Sequence, residues 1–184
     1  MYWYSSKHFK LLSSVLLCAS GLVACRPDVH ESTSENKYFD LKGYVSADIS
    51  RLARRNAGVT KTVQHNRTGK QTKTISTINW EQELAPFVSS DINKPAWRQS
   101  YSTEQKGDST VYTALQHELN TRRIVIHQQD GHVSQIAIDN ATHNLLYNNS
   151  ERLIWYPDSL YVINKWQKVR LLGENVYEIS GVIR

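Results

Sequence analysis

Cysteine is nearly missing from this chain: of 184 residues only Cys18 and Cys25 carry a thiol. Two thiols, one of them inside the apolar start of the chain, leave no disulfide framework, no Cys-x-x-Cys redox pair and no cysteine metal site. A long apolar run is missing as well. Leu11 to Ala24 is uninterrupted by charge, but its roughly 14 residues fall short of the about 20 that a membrane-spanning helix needs. No basic stripe interleaved with aromatics is present, and the net charge of +5 is a mild excess, so nucleic acid is not an expected partner. No repeat period stands out, against a solenoid or propeller. The reaction motifs are absent too: there is no G-x-S-x-G elbow, no P-loop and no dinucleotide fingerprint. Glycoside hydrolysis needs two placed carboxylates, and nothing in the spacing of Glu104, Asp108, Glu118 and Asp139 singles out a pair. Neither a catalytic residue nor a cofactor is assigned, and the protein is expected to be non-enzymatic.

What is present at the start is ordered. Residues 1–10 carry Lys7 and Lys10 and no acid, the apolar run follows, and Cys25 stands where polar sequence begins with Arg26-Pro27-Asp28. A basic start, a short apolar stretch and a small-residue exit describe a secretory signal peptide, assigned to residues 1–24. Leu22-Val23-Ala24-Cys25 resembles the bacterial lipobox, which directs cleavage before the cysteine and its lipidation. The resemblance implies that Cys25 is the lipidation site and the first mature residue. Acyl chains contribute about 0.8 kcal/mol per buried methylene, so a multi-acyl anchor holds without a spanning helix. Arg26 stands in place of the aspartate that retains some lipoproteins at the inner membrane, so the expected location is the outer membrane, facing the periplasm.

Removing residues 1–24 leaves 160 residues with 20 basic and 17 acidic side chains, enough for one domain. Residues 25–37 comprise the lipidated cysteine and a polar stretch, RPDVHESTSENK, read as a disordered tether. Residues 38–184 are read as a single domain. Within it, Tyr38–Asn56 has helical spacing, with Leu41, Val45, Ile49 and Leu52 on one face and Arg51, Arg54 and Arg55 at the negative end of the dipole. Gly43 is a blemish and Gly58 is a candidate cap. Two Thr- and Lys-rich segments flank Asn66-Arg67-Thr68-Gly69 as a hairpin. Asn79 with Gln82 resembles a capping box, opening a short helix of Trp80, Leu84, Phe87 and Val88 that Pro86 bends or ends.

From Trp97 onward short strands alternate with turns. The expected strands are Trp97–Thr103, Thr110–Gln116, Arg122–Gln128, His132–Asp139, Asn144–Asn148, Arg152–Tyr156, Leu160–Trp166, Gln167–Leu172 and Val176–Ile183. The fold class is therefore α+β: an antiparallel meander of about 7–9 strands, curved or half-barrel in shape, with two N-terminal helices on one face. His127 and His132 flank Asp130-Gly131 and invite a zinc reading. A three-residue loop, Gln129 to Gly131, keeps Ile124, Ile126, Ile136 and Ile138 on one face and places the two histidines on opposite faces, so no metal site is assigned. Trp97, Tyr101, Tyr112, Trp155, Tyr156, Tyr161, Trp166 and Tyr177 all fall on expected strands, as core packing or as a face for an apolar ligand or glycan.

The lipobox, the polar tether, YFDLKGYV opening a helix and SDINKPAW before a sheet together resemble uncharacterised lipoproteins of Bacteroidota. That resemblance implies a lipid-anchored envelope protein. The expected function is a binding or assembly accessory that meets a lipid, a glycan or an envelope protein. The competing reading is an envelope hydrolase acting on glycan or peptide.

Overall fold

Strand pairing dominates the computed structural model, which describes residues 36–184. The signal peptide at 1–24, Cys25 and all but the last two residues of the tether lie outside the described residues. Nine strands form one open antiparallel sheet: β1 (Val59–His65), β2 (Gln71–Ile75), β3 (Tyr101–Lys106), β4 (Ser109–Ala114), β5 (Thr121–Gln129), β6 (His132–His143), β7 (Tyr147–Tyr156), β8 (Leu160–Val169) and β9 (Gly173–Ile183). Strands β3 to β9 follow each other as a meander. The β1–β2 hairpin then adds beside β9, giving the order β2-β1-β9-β8-β7-β6-β5-β4-β3.

Register sorts the side chains by face, because alternate residues of a strand point to opposite sides. One row crosses the sheet as Tyr112, Ile124, Ile138, Leu153, Ile163 and Ile179. The next runs Ile126, Ile136, Trp155, Tyr161 and Gly181. These rows meet the helices α1 (Leu41–Arg54), α2 (Trp80–Glu83) and α3 (Ala85–Ser89) in one core cluster with Leu41, Val45, Leu52, Trp80, Leu84 and Phe87. Gly181 lies under the Tyr161 ring, where an added Cβ would come within 2.2 Å of it.

The helices differ in detail from the sequence reading. α1 starts at Asp40, whose side chain accepts from the Gly43 amide at 2.9 Å. Gly43 is the residue that makes this room, since a Cβ there would lie 2.1 Å from Asp40 Oδ2. Gly58 does not cap α1; Asn56 takes the left-handed conformation (φ 49°) and Ala57 N donates to Leu52 O at 3.0 Å. Asn79 caps α2 as expected, accepting from Gln82 N at 3.0 Å. Pro86 stands in the first turn of α3, so the expected second helix is two short ones.

Three strand expectations are corrected. Trp97 ends a single 3-10 turn, Pro95–Trp97, and β3 begins only at Tyr101. Asn148-Asn149-Ser150 is not a turn but the interior of β7, paired with β6 and β8. The turn lies earlier, where Asn144 Oδ1 accepts from the amides of Leu146 and Tyr147, both at 2.9 Å. Likewise Leu160–Trp166 and Gln167–Leu172 belong to one continuous strand that stops at Val169.

Around Asp130 the four isoleucines share a face, but by another route. The turn has two residues, Asp130 and Gly131, at positive φ. A bulge at Ser134 then shifts the register so that Ile124 meets Ile138 and Ile126 meets Ile136. The two-residue turn, which pairs Gln129 with His132, also brings His127 and His132 to the same face, against the expectation of opposite faces.

Candidate functional site

Two buried polar clusters tie helix to sheet. On α1, Asp48 is 2% exposed, facing the sheet between Val45 and Leu52. Its carboxylate accepts from Trp155 Nε1 at 2.9 Å and pairs with Arg51 at 2.8 Å. Arg51 also binds Asp158 in the β7–β8 turn at 2.8 Å, and Arg55 reaches the same carboxylate at 3.3 Å. Burial raises the Asp48 carboxyl above its ordinary value, opposed by the Trp155 hydrogen bond and the Arg51 charge. On α2, Glu83 Oε1 accepts from Lys61 Nζ at 2.6 Å and from the Tyr161 hydroxyl. Burial, and then the bond to Glu83, raises the Tyr161 phenol. Every charge in these clusters is spent on a partner in the fold, so they act as fasteners.

The two worded motifs of the sequence meet each other. Asn93 of SDINKPAW accepts from Tyr38 N at 3.0 Å and donates to Phe39 O at 2.9 Å. The Tyr38 ring packs edge-on against Tyr101 and Tyr112 at 5.8 and 5.7 Å. Tyr38 Oη donates to Arg98 O at 2.8 Å, and Tyr101 Oη to Thr121 O at 2.9 Å. Burial and then Tyr38 push the Tyr101 phenol up to about 12. Together these contacts latch the start of α1 to the β3–β4 side of the sheet.

The aromatics therefore divide. Tyr101, Tyr112, Trp155 and Tyr161 are core. Trp97 packs against the core and lies under Lys94 at 3.9 Å. Tyr156 receives Gln135 Nε2 at 3.1 Å, and Tyr177 stacks on His65 at 4.5 Å. Trp166 falls on the face away from the helices and lines a groove there, with Tyr177 at its edge. The apolar rows that a carried ligand would use are occupied by the protein's own helices.

That groove spans β6 to β9 and encloses about 500 Å³. Register builds it from two rows: Asp139, Arg152, Asn164 and Glu178, then Ala141, Ser150, Trp166 and Val176. Arg152 pairs loosely with Asp139 at 3.6 Å, and Arg122 overlooks the rim. Charge of both signs beside an aromatic face suits a partner that presents both polar and apolar groups.

Of the carboxylates considered from sequence, only Asp139 lines this groove. Glu104 pairs with Lys106 at 3.1 Å on β3. Asp108 lies in the β3–β4 turn and Glu118 in the β4–β5 connection. His127 Nδ1 is bonded to Ser109 Oγ at 2.6 Å, and among the described residues no three His, Cys, Asp or Glu side chains converge. The lipidation residue Cys25 lies outside the described residues. The sequence reading missed the groove because its members come from four strands, none nearer than a hairpin to the next. Only an alternation count across correctly bounded strands would have aligned them. No family model, curated protein or solved structure matches the chain.

Proposed function

We propose that the chain is a non-enzymatic, lipid-anchored envelope protein of the Bacteroidota lipoprotein type that binds an envelope protein partner. In this reading Cys25 carries the lipid, the anchor lies in the outer membrane, and the domain faces the periplasm. The half-barrel curve of the sheet about α1 serves as a scaffold rather than a carrier's pocket. The observation that carries the reading is the groove of about 500 Å³ with Trp166, Arg152 and Asp139 on the face the helices leave open. Trp and Arg are the side chains that most often dominate protein interfaces when they are partly desolvated. The filled helix-packed face supports a partner at the surface over a ligand inside.

The test combines fatty-acid labelling with photo-crosslinking in the producing cell. Label should enter the parent and not Cys25→Ser; a parent that takes no label overturns the anchor. A crosslinker replacing Asn164 should capture a discrete partner, and Trp166→Ala should weaken that capture by an amount equivalent to about 2 kcal/mol. Capture that Trp166→Ala and Arg152→Ala leave unchanged overturns the groove as the binding site.

A further inference from the structure

The domain exposes eight large apolar or aromatic side chains, and six of them lie at one end of the sheet: Leu115, Leu145, Leu146, Tyr147, Leu171 and Leu172. Four are the paired leucines of two hairpin tips, 87% and 72% exposed between β6 and β7, and 93% and 81% exposed between β8 and β9. The two tips touch, with Arg170 N donating to Leu146 O at 3.0 Å. They also project. On this side β3 and β5 begin, and β4 and β1 end, near the row that holds Thr121, Asn140, Glu151, Lys165, Tyr177 and His65. Strands β6 to β9 run on for three or four residues more, an overhang of about 10–14 Å at about 3.4 Å per residue.

Part of the backbone at these tips is paired within the turns. Leu146 and Tyr147 amides bond to Asn144 Oδ1, Asn144 N donates to Tyr147 O, and Leu172 N donates to Val169 O. Unpaired backbone groups are what bars a loop from an apolar phase, so these bonds lower the cost of bringing the tips to the headgroup boundary. Just behind the leucines stand Arg170 and Lys168, the latter paired with Glu174 at 3.1 Å, and the neighbouring β1–β2 turn adds Arg67 and Lys70, leaving an excess of positive charge. The turns at the opposite end carry Asp108, Asp130 and Asp158, the last of them paired with Arg51 and Arg55. Apolar tips backed by cations complement an anionic bilayer surface.

The direction of the chain agrees. α1 starts at the latch of Tyr38 against Arg98 and Tyr101, level with the row of Thr121, and its last turn reaches Asp158 at the far end. The described chain thus begins on the side of the leucine tips. Residues 26–35 separate Asn36 from Cys25, a span of at most about 35 Å.

We propose that Leu145, Leu146, Leu171 and Leu172 insert into the lipid bilayer as a second membrane contact, holding the domain upright with its tips in the headgroup boundary. This deepens the lipid-anchored reading and rests on it for the choice of a bilayer over a second copy of the chain. A depth of about 5–10 Å is what such an apolar edge reaches. The groove then faces sideways, parallel to the membrane, open to a partner.

The test uses the full chain, expressed with its leader and reconstituted in vesicles of phosphatidylethanolamine and phosphatidylglycerol. An environment-sensitive dye is placed on Leu172→Cys or Leu146→Cys, with Asp130→Cys as the far-end comparison and the parent chain as background. These surface changes leave the core untouched. The tip dyes should shift to the blue and lose emission to doxyl groups carried on acyl chains, while the Asp130 dye stays aqueous. Tip dyes that remain in water on vesicle-bound, fatty-acid-labelled protein overturn the insertion and leave the anchor standing. Quenched tips on unlabelled protein overturn the anchor and support the insertion. Tip dyes shielded from water but not quenched by lipid, together with a crosslinked dimer, overturn the insertion in favour of a second copy.

Discussion

Asp48 shows how one buried acid couples helix, sheet and turn. Its carboxylate is held by Trp155 and Arg51 at 2% exposure, and burial raises its pKa above the ordinary 3.8. An acid raised on folding holds its proton more tightly in the folded state. Its contribution to stability is full below 3.8 and is lost as pH rises through the folded value. Asp48→Asn removes that dependence. Relative to the parent, the variant's urea midpoint should therefore improve as pH is raised from about 4 to 7, whatever offset the lost Arg51 pair imposes. A constant difference between the two proteins across that range would count against the assignment. None of this was legible in the sequence, which shows a helical stripe but not what faces it. The residue it bonds lies 107 positions away.

Helix α1 depends on an arrangement that looks like a defect. Gly43 weakens a helix by about 1 kcal/mol relative to alanine, and a cap of the Asp40 kind contributes about 1 kcal/mol. The two are coupled, because a Cβ at 43 collides with the capping carboxylate at 2.1 Å. Gly43→Ala is therefore expected to be near neutral in the parent and to stabilise the Asp40→Ala variant by about 1 kcal/mol. Denaturant unfolding of the four proteins in the cycle measures it, and equal effects in both backgrounds would refute the coupling. The local signals of the elements were readable: the helical stripe of Leu41, Val45, Ile49 and Leu52, and the cap at Asn79. Strand ends were not. Asn148-Asn149-Ser150 has turn composition, yet pairing on both sides holds it extended, while the Asn144 side chain closes the real turn.

In the molecule as a whole, the sheet is open, with β2 and β3 as its edges and β6 to β8 well inside. The inner strands carry Ile138, Leu153 and Ile163 under the helices and bond on both sides. Opening them requires breaking the core, whereas an edge strand frays alone. Amide hydrogen exchange should be slowest at these three residues and fastest in β2 and β3; comparable rates across the sheet would contradict a single core. The pairing of β1 with β9 joins residues near the two ends of the domain. Such long-range closure slows folding, because chain entropy is lost before the contact forms.

The antiparallel α+β class follows from alternation, turn residues and a single helical stripe, all short-range properties of the chain. The lipobox-like start is also a matter of local order, basic, apolar, then cysteine. Side-by-side placement is another matter. The groove around Trp166, the β1–β9 closure and the joined leucine tips arise from register between strands far apart in sequence. Register follows from which apolar rows the helices can bury together, an energy of the assembled core that no local window contains.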